Sequence, residues 1–109
     1  MATFRSGTVT NTSTTVTTKS ADVLTMNIIN RHSAVIYVRF YNSTVATFQD
    51  TPIATFTVAA SGGSIVQQAG ALAALFSGTK GLSVRVVTGA TDSDNTAAAT
   101  LPIIELEYK

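Results

Sequence analysis

His32 is the single imidazole of the chain, and one histidine sets a low ceiling on acid–base or metal chemistry. It stands between Arg31 and Ser33 at an expected turn, where an exposed turn residue is expected rather than a catalytic base. A Ser–His–Asp arrangement is defined by geometry that one histidine among many serines does not imply. Zinc takes about four ligands, and the chain has no cysteine to supply any. Asp92-Ser93-Asp94-Asn95 opens like a calcium loop, because oxygens at alternate positions converge on a hard cation. The sixth place is not glycine, however, and Ile103 stands at the twelfth, where such loops carry a bidentate glutamate. A polar turn in which the Asx side chains bond their own backbone is the expectation.

Glu105 and Glu107 share one face of a terminal strand, roughly 7 Å apart by strand geometry. That spacing resembles a glycosidase carboxylate pair, but with Lys109 beside them a solvated strand face is expected. Gly62-Gly63 lacks the lysine and following helix of a phosphate loop. Asn11-Thr12-Ser13 and Asn42-Ser43-Thr44 fit the glycosylation pattern, which has meaning only in a secreted chain. No catalytic residue, metal ligand or cofactor is expected. The best candidate for recognition is the row Tyr37, Arg39 and Tyr41, since Tyr and Arg offer large amphipathic contact area. Its competing reading is cation–π packing on an outer sheet face.

The elements that must carry these residues follow from composition and period. The chain has 109 residues, 45% hydrophobic and 12% charged, with Lys+Arg 7 against Asp+Glu 6. This length supports one core. Near-neutral charge gives no field to gather phosphates or anionic lipid, so neither nucleic acid nor membrane is an expected partner. No apolar segment approaches the length of a membrane span, and the start Met-Ala-Thr-Phe-Arg has no leader-like apolar core, so synthesis in a cytoplasm is expected.

Residues 1–20 read as an extended Thr-rich arm or edge strand, because Val9 and Val16 are the only large apolar residues from Ser6 to Ser20 and threonine fits a pleat. Residues 21–109 read as the sandwich domain. Asp22 to Asn30 is a short apolar strand. Ala34 to Asn42 alternates, with Ile36, Val38 and Phe40 inward, and Arg31 to Ser33 suit a tight hairpin between the two. Asp50-Thr51-Pro52 marks a turn, and Ile53 to Ala59 alternates with Ala54, Phe56 and Val58 on one side. Ile65 to Gln67 is a further short strand. Ala69 to Phe76 has helical spacing in Leu72, Leu75 and Phe76 and reads as a short turn of helix or an irregular loop. Gly81 to Gly89 places Leu82, Val84 and Val86 inward, and Pro102 to Lys109 sets Ile104, Leu106 and Tyr108 against Glu105 and Glu107. About seven short strands between turns predict an all-β antiparallel sandwich or jelly roll.

The order Ile36-Tyr37-Val38-Arg39-Phe40-Tyr41-Asn42, Asp50-Thr51-Pro52-Ile53, Gly81-Leu82-Ser83-Val84-Arg85-Val86 and Thr91-Asp92-Ser93-Asp94-Asn95-Thr96, ending in Tyr108-Lys109, resembles small phage virion proteins of the capsid decoration, or cement, and head accessory type. The resemblance spans roughly Asn27 to Lys109. It implies a jelly-roll or sandwich on the outer capsid surface of a virion, not an enzyme, bound to the major capsid protein and self-associated, with a homotrimer expected. Partner contacts are expected at Phe4 and Arg5, at the base of an arm laid on a neighbour's sheet edge, and at Tyr37, Arg39 and Tyr41. The alternatives are a tail or fibre accessory protein and a lectin-like module binding carbohydrate through Tyr37 and Tyr41 or through the Asp92/Asp94 loop.

Overall fold

The computed structural model describes residues 1–70 and 73–109. Within them the chain forms nine strands: β1 (Ala2–Ser6), β2 (Thr14–Thr17), β3 (Ala21–Ile29), β4 (Ile36–Tyr41), β5 (Ala54–Val58), β6 (Ser64–Gln68), β7 (Phe76–Gly78), β8 (Leu82–Val87) and β9 (Ile103–Tyr108). They build two antiparallel sheets, one ordered β1-β9-β3-β6 with β7 also on β3, the other β2-β8-β4-β5. If β6 and β7 are taken as one interrupted strand beside β3, the pairs β1–β9, β2–β8, β3–β6/β7 and β4–β5 are those of a long hairpin. Rolled into two layers, that hairpin is the jelly-roll order.

The sheets enclose one core, because the period-2 residues of each strand turn to the same interior. Ile36, Val38 and Phe40 of β4, Leu82, Val84 and Val86 of β8, and Ile104 and Leu106 of β9 are all buried there. In β3 both Val23 and Met26 reach the core, which strict alternation forbids. A register shift between Val23 and Thr25 against β9 inserts the extra residue, Leu24, and restores the inward phase. Phe40, Phe56 and Phe76 form an aromatic triangle with centroids 4.7 to 5.9 Å apart. The triangle joins β5 of one sheet to β7 of the other and closes that side of the sandwich.

One expectation is corrected and one alternative is settled. Arg31 to Ser33 do not close a hairpin, since β3 and β4 belong to different sheets and the segment crosses between them. The crossing is organised by Asn30, which is fully buried. Its Nδ2 donates to the carbonyls of Ala34, Val58 and Ala59 at 2.9 to 3.2 Å, and its Oδ1 accepts the His32 amide at 2.8 Å. For Ala69 to Phe76 the helical alternative gives way to the loop: the described residues are irregular up to Phe76, where β7 begins, and Ala71 and Leu72 lie outside them. The Ala69 amide bonds Leu24 O and the Leu75 amide bonds Val23 O, each at 2.8 Å. A lone helix of eight residues is too short to persist, whereas the outer edge of β3 presents backbone groups that need partners.

Residues 1–20 supply an edge strand to each sheet. β1 runs along β9 with Ala2 opposite Tyr108, and β2 runs along β8. Between them Val9 is fully buried, and Thr10 O accepts the Val86 amide at 2.9 Å. In this chain the Thr-rich segment thus satisfies its backbone on its own sheets.

Candidate functional site

The outer faces of the two sheets are the surfaces on which recognition residues can sit, and they are built differently. On the four-stranded sheet, Tyr37, Arg39 and Tyr41 of β4 point outward, opposite Val87, Arg85 and Ser83 of β8. The row is not free. Arg39 is 0% exposed, Tyr41 1% and Arg85 1%; Tyr37 remains half-buried at the rim. Arg39 and Tyr41 therefore lie buried in the single chain, and of the expected row only Tyr37 reaches the surface.

The cover is the loop from Thr88 to Thr96. Arg39 Nη2 donates to the carbonyls of Gly89 (3.1 Å) and Ala90 (2.8 Å), and Arg39 Nε lies 3.7 Å from Asp92 Oδ1. Arg85 Nη2 donates to Asp94 O at 2.7 Å. Of the residues that suggested a calcium loop, Asp92 thus turns its carboxylate toward Arg39 and Asp94 its main-chain carbonyl toward Arg85. Like charges directly opposite on paired strands repel. Here the carbonyls and two aromatic faces offset that repulsion, with Arg39 over Tyr37 at 5.4 Å and Arg85 over Tyr41 at 5.7 Å. Nε and Nη1 of both arginines still lack hydrogen-bond partners, as does the Tyr41 hydroxyl.

Asp94 holds the loop closed from within. Its Oδ2 accepts from the amides of Gly89 (3.0 Å) and Thr96 (3.1 Å), and its Oδ1 from the Thr96 hydroxyl (3.1 Å). Desolvation alone would raise this carboxyl. The bonds from Thr96 and Gly89, with the Arg39 charge, outweigh it and hold Asp94 below the ordinary carboxylate value. Burial pushes the Tyr41 phenol up, against the lowering influence of Arg85 and Arg39. A Cβ on Gly89 would fall 2.3 Å from Asp94 Cγ, so only glycine admits the carboxylate there. Asn11 Nδ2 fastens the loop to the N-terminal segment through Asn95 O at 2.9 Å.

Among the described residues, no such cover lies on the outer face of the five-stranded sheet. Its strands set side chains in rows: Thr3, Glu107, Thr25 and Gln68, and beside them Arg5, Glu105, Asn27 and Val66. Thr25 Oγ1 donates to Glu107 Oε1 at 3.2 Å, and Arg5 Nε lies 3.7 Å from Glu105 Oε1. A shallow hollow of about 280 Å3 opens among Thr3, Thr25, Asn27, Gln68 and Glu107. Arg5 therefore lies on an open surface, while Phe4, on the same strand, turns inward against the core. Glu105 and Glu107 share this face, as their spacing requires.

His32 Nδ1 accepts the Thr100 amide at 3.3 Å, so the lone imidazole ties two loops together. Among the described residues no group of three or more His, Asp or Glu side chains could hold a metal ion, and no helix is long and apolar enough to cross a membrane. Sequence reasoning missed Arg85, Gly89 and Asn30. The available signal was a second arginine at the centre of an apolar strand, followed closely by Asp92 and Asp94.

Fold and site together define a small antiparallel β-sandwich with one outer face sealed by a loop and the other bare. No protein family, no curated protein and no solved structure matches the chain.

Proposed function

We propose that this protein is a structural component of a phage virion, a decoration protein that binds the outer capsid surface and bridges neighbouring copies of the major capsid protein. The observation that supports this most is the bare face of the five-stranded sheet. Its open hydrogen-bonding groups, Thr3, Thr25, Asn27 and Gln68, surround a single internal ion pair, Arg5 with Glu105. Such a face suits a protein surface contacted through many short polar bonds, and it carries no positive charge excess to draw nucleic acid. Each contact would be modest, and many copies on one shell would gain through multivalency. The carbohydrate-binding alternative draws on Tyr37 and Tyr41 or on the Asp92/Asp94 loop; Tyr41 is buried and the Asp94 carboxylate is bonded within its own loop, while Tyr37 is half-buried and Asp92 exposed.

Cosedimentation with expanded shells of the phage that carries the gene tests this reading. The wild-type chain is expected to pellet with the shells and to raise their resistance to heat. The double variant Thr25→Lys, Asn27→Lys, which places two cations on the bare face, is expected to stay in the supernatant. Failure of the wild-type chain to bind shells would sink the proposal.

A further inference from the structure

None of the seven cationic or six anionic residues falls between Thr51 and Thr79. In the fold this uncharged stretch supplies β5, β6 and β7. Phe56 of β5 lies 5.8 Å from Phe76 of β7, which places the outermost strands of both sheets on one flank. Sheet edges invite pairing, and monomeric proteins blunt them with charges, proline or bulges. The opposite flank follows that rule: β1 carries Arg5, and β2 has a register shift between Thr15 and Thr17. β5 and β6 pair in unbroken register with β4 and β3, and neither contains a charge or a proline. On β6, Ser64, Val66, Gln67 and Gln68 are exposed, Val66 to 69%.

We propose that a second copy of this chain docks on this flank, its β6 antiparallel to the first across a two-fold axis at Val66. This deepens the self-association in the reading above and rests on that part of it. Antiparallel pairing of identical edges is isologous, so the same uncharged surface serves both partners. Val66 meets Val66 of the second copy, and Ser64 stands opposite its Gln68. The five-residue edges exchange main-chain hydrogen bonds and continue one sheet through both molecules. The chain measures 33 × 27 × 20 Å. One flank therefore presents on the order of 600 Å2, close to the roughly 800 Å2 per partner of a standard interface. A two-fold pair replaces the expected trimer as the unit of association.

Light scattering of the full chain over a concentration series, without shells, is the test. Wild type is expected to reach twice the 11.3 kDa chain mass. Val66→Lys should weaken association about tenfold or more, as a charge on each edge meets its own image. Val45→Lys, a substitution at an equally exposed valine in the loop after β4, should associate like wild type, and circular dichroism should show all three chains equally folded. A wild-type monomer at every concentration, or an oligomer indifferent to Val66→Lys, would overturn the proposal. The wild-type chain separates the two ideas: if it stays monomeric in solution yet pellets with shells, the flank pairing fails and the decoration reading stands.

Discussion

The two outer faces of the sandwich put similar strands to opposite uses. On the four-stranded sheet, charge is drawn inward: Arg39 and Arg85 are buried beneath Thr88 to Thr96, held by main-chain carbonyls and by Asp92 at 3.7 Å. On the five-stranded sheet, charge stays in water, and the Arg5–Glu105 pair has 65% and 40% of its side chains exposed. A buried guanidinium with donors left unpaired stabilises little by itself, but it dictates where the covering loop must sit. One face is thus closed by its own loop, while the other keeps its polar side chains in water.

The largest expected difference comes from truncating matched residues at the centre of each face. Arg39→Ala removes the loop's anchor and empties a closed site, and should lower unfolding stability by about 3 kcal/mol. Asn27→Ala, at the centre of the bare face, should cost no more than about 0.5 kcal/mol. Urea unfolding of both variants measures this. Equal losses would break the comparison.

Gly89→Ala acts on the loop without touching its cations. The added Cβ displaces the Asp94 carboxylate, and a loss of about 1 to 2 kcal/mol is expected from the cradle's broken hydrogen bonds. Hydrogen exchange should quicken in Thr88 to Thr96 and stay unchanged in β9.

The pH response of the sealed face should be smaller and of defined sign. The carboxyl of Asp94 is depressed on folding, so its contribution is present above its unfolded value, about 3.9, and is lost as pH falls through the lower folded value. Tyr41 is raised, so its contribution is complete below about 10 and is lost as pH rises through the higher folded value. Loop amides should therefore lose protection first in acid, and Asp94→Asn should flatten that limb. The smallest effect belongs to the bare face: Arg5→Ala breaks an exposed pair and should change stability by less than about 0.5 kcal/mol.

Much of the fold is legible in the sequence because alternation reports which side of a strand is dry. Ile36, Val38 and Phe40, Leu82, Val84 and Val86, and Ile104 and Leu106 all face the core as their period requires. The period is silent on what covers the other side. Nothing in Tyr37-Val38-Arg39 distinguishes an arginine in water from one beneath a loop fifty residues away, because burial there depends on Gly89 and Ala90 carbonyls. The hairpin expected at Arg31 to Ser33 failed for a related reason. Loop length between two strands does not say whether they share a sheet, and here the buried amide of Asn30 decides it. The helical spacing of Ala69 to Phe76 was outweighed by the unfilled edge of β3. For the candidate site, Arg5 lies on the open face, whereas Arg39 and Tyr41 lie inside.

The pairing of β1 with β9, Ala2 beside Tyr108, has a consequence in time. Of the strands described, β1 is made before the others and its partner β9 after them, so the five-stranded sheet stays incomplete until the whole sandwich has been synthesised. Non-local pairing of this kind slows folding and leaves strand edges exposed meanwhile. Throughout that interval the emerging chain carries the uncharged stretch from Thr51 to Thr79, whose strand edges have no charge to keep them from pairing with other chains.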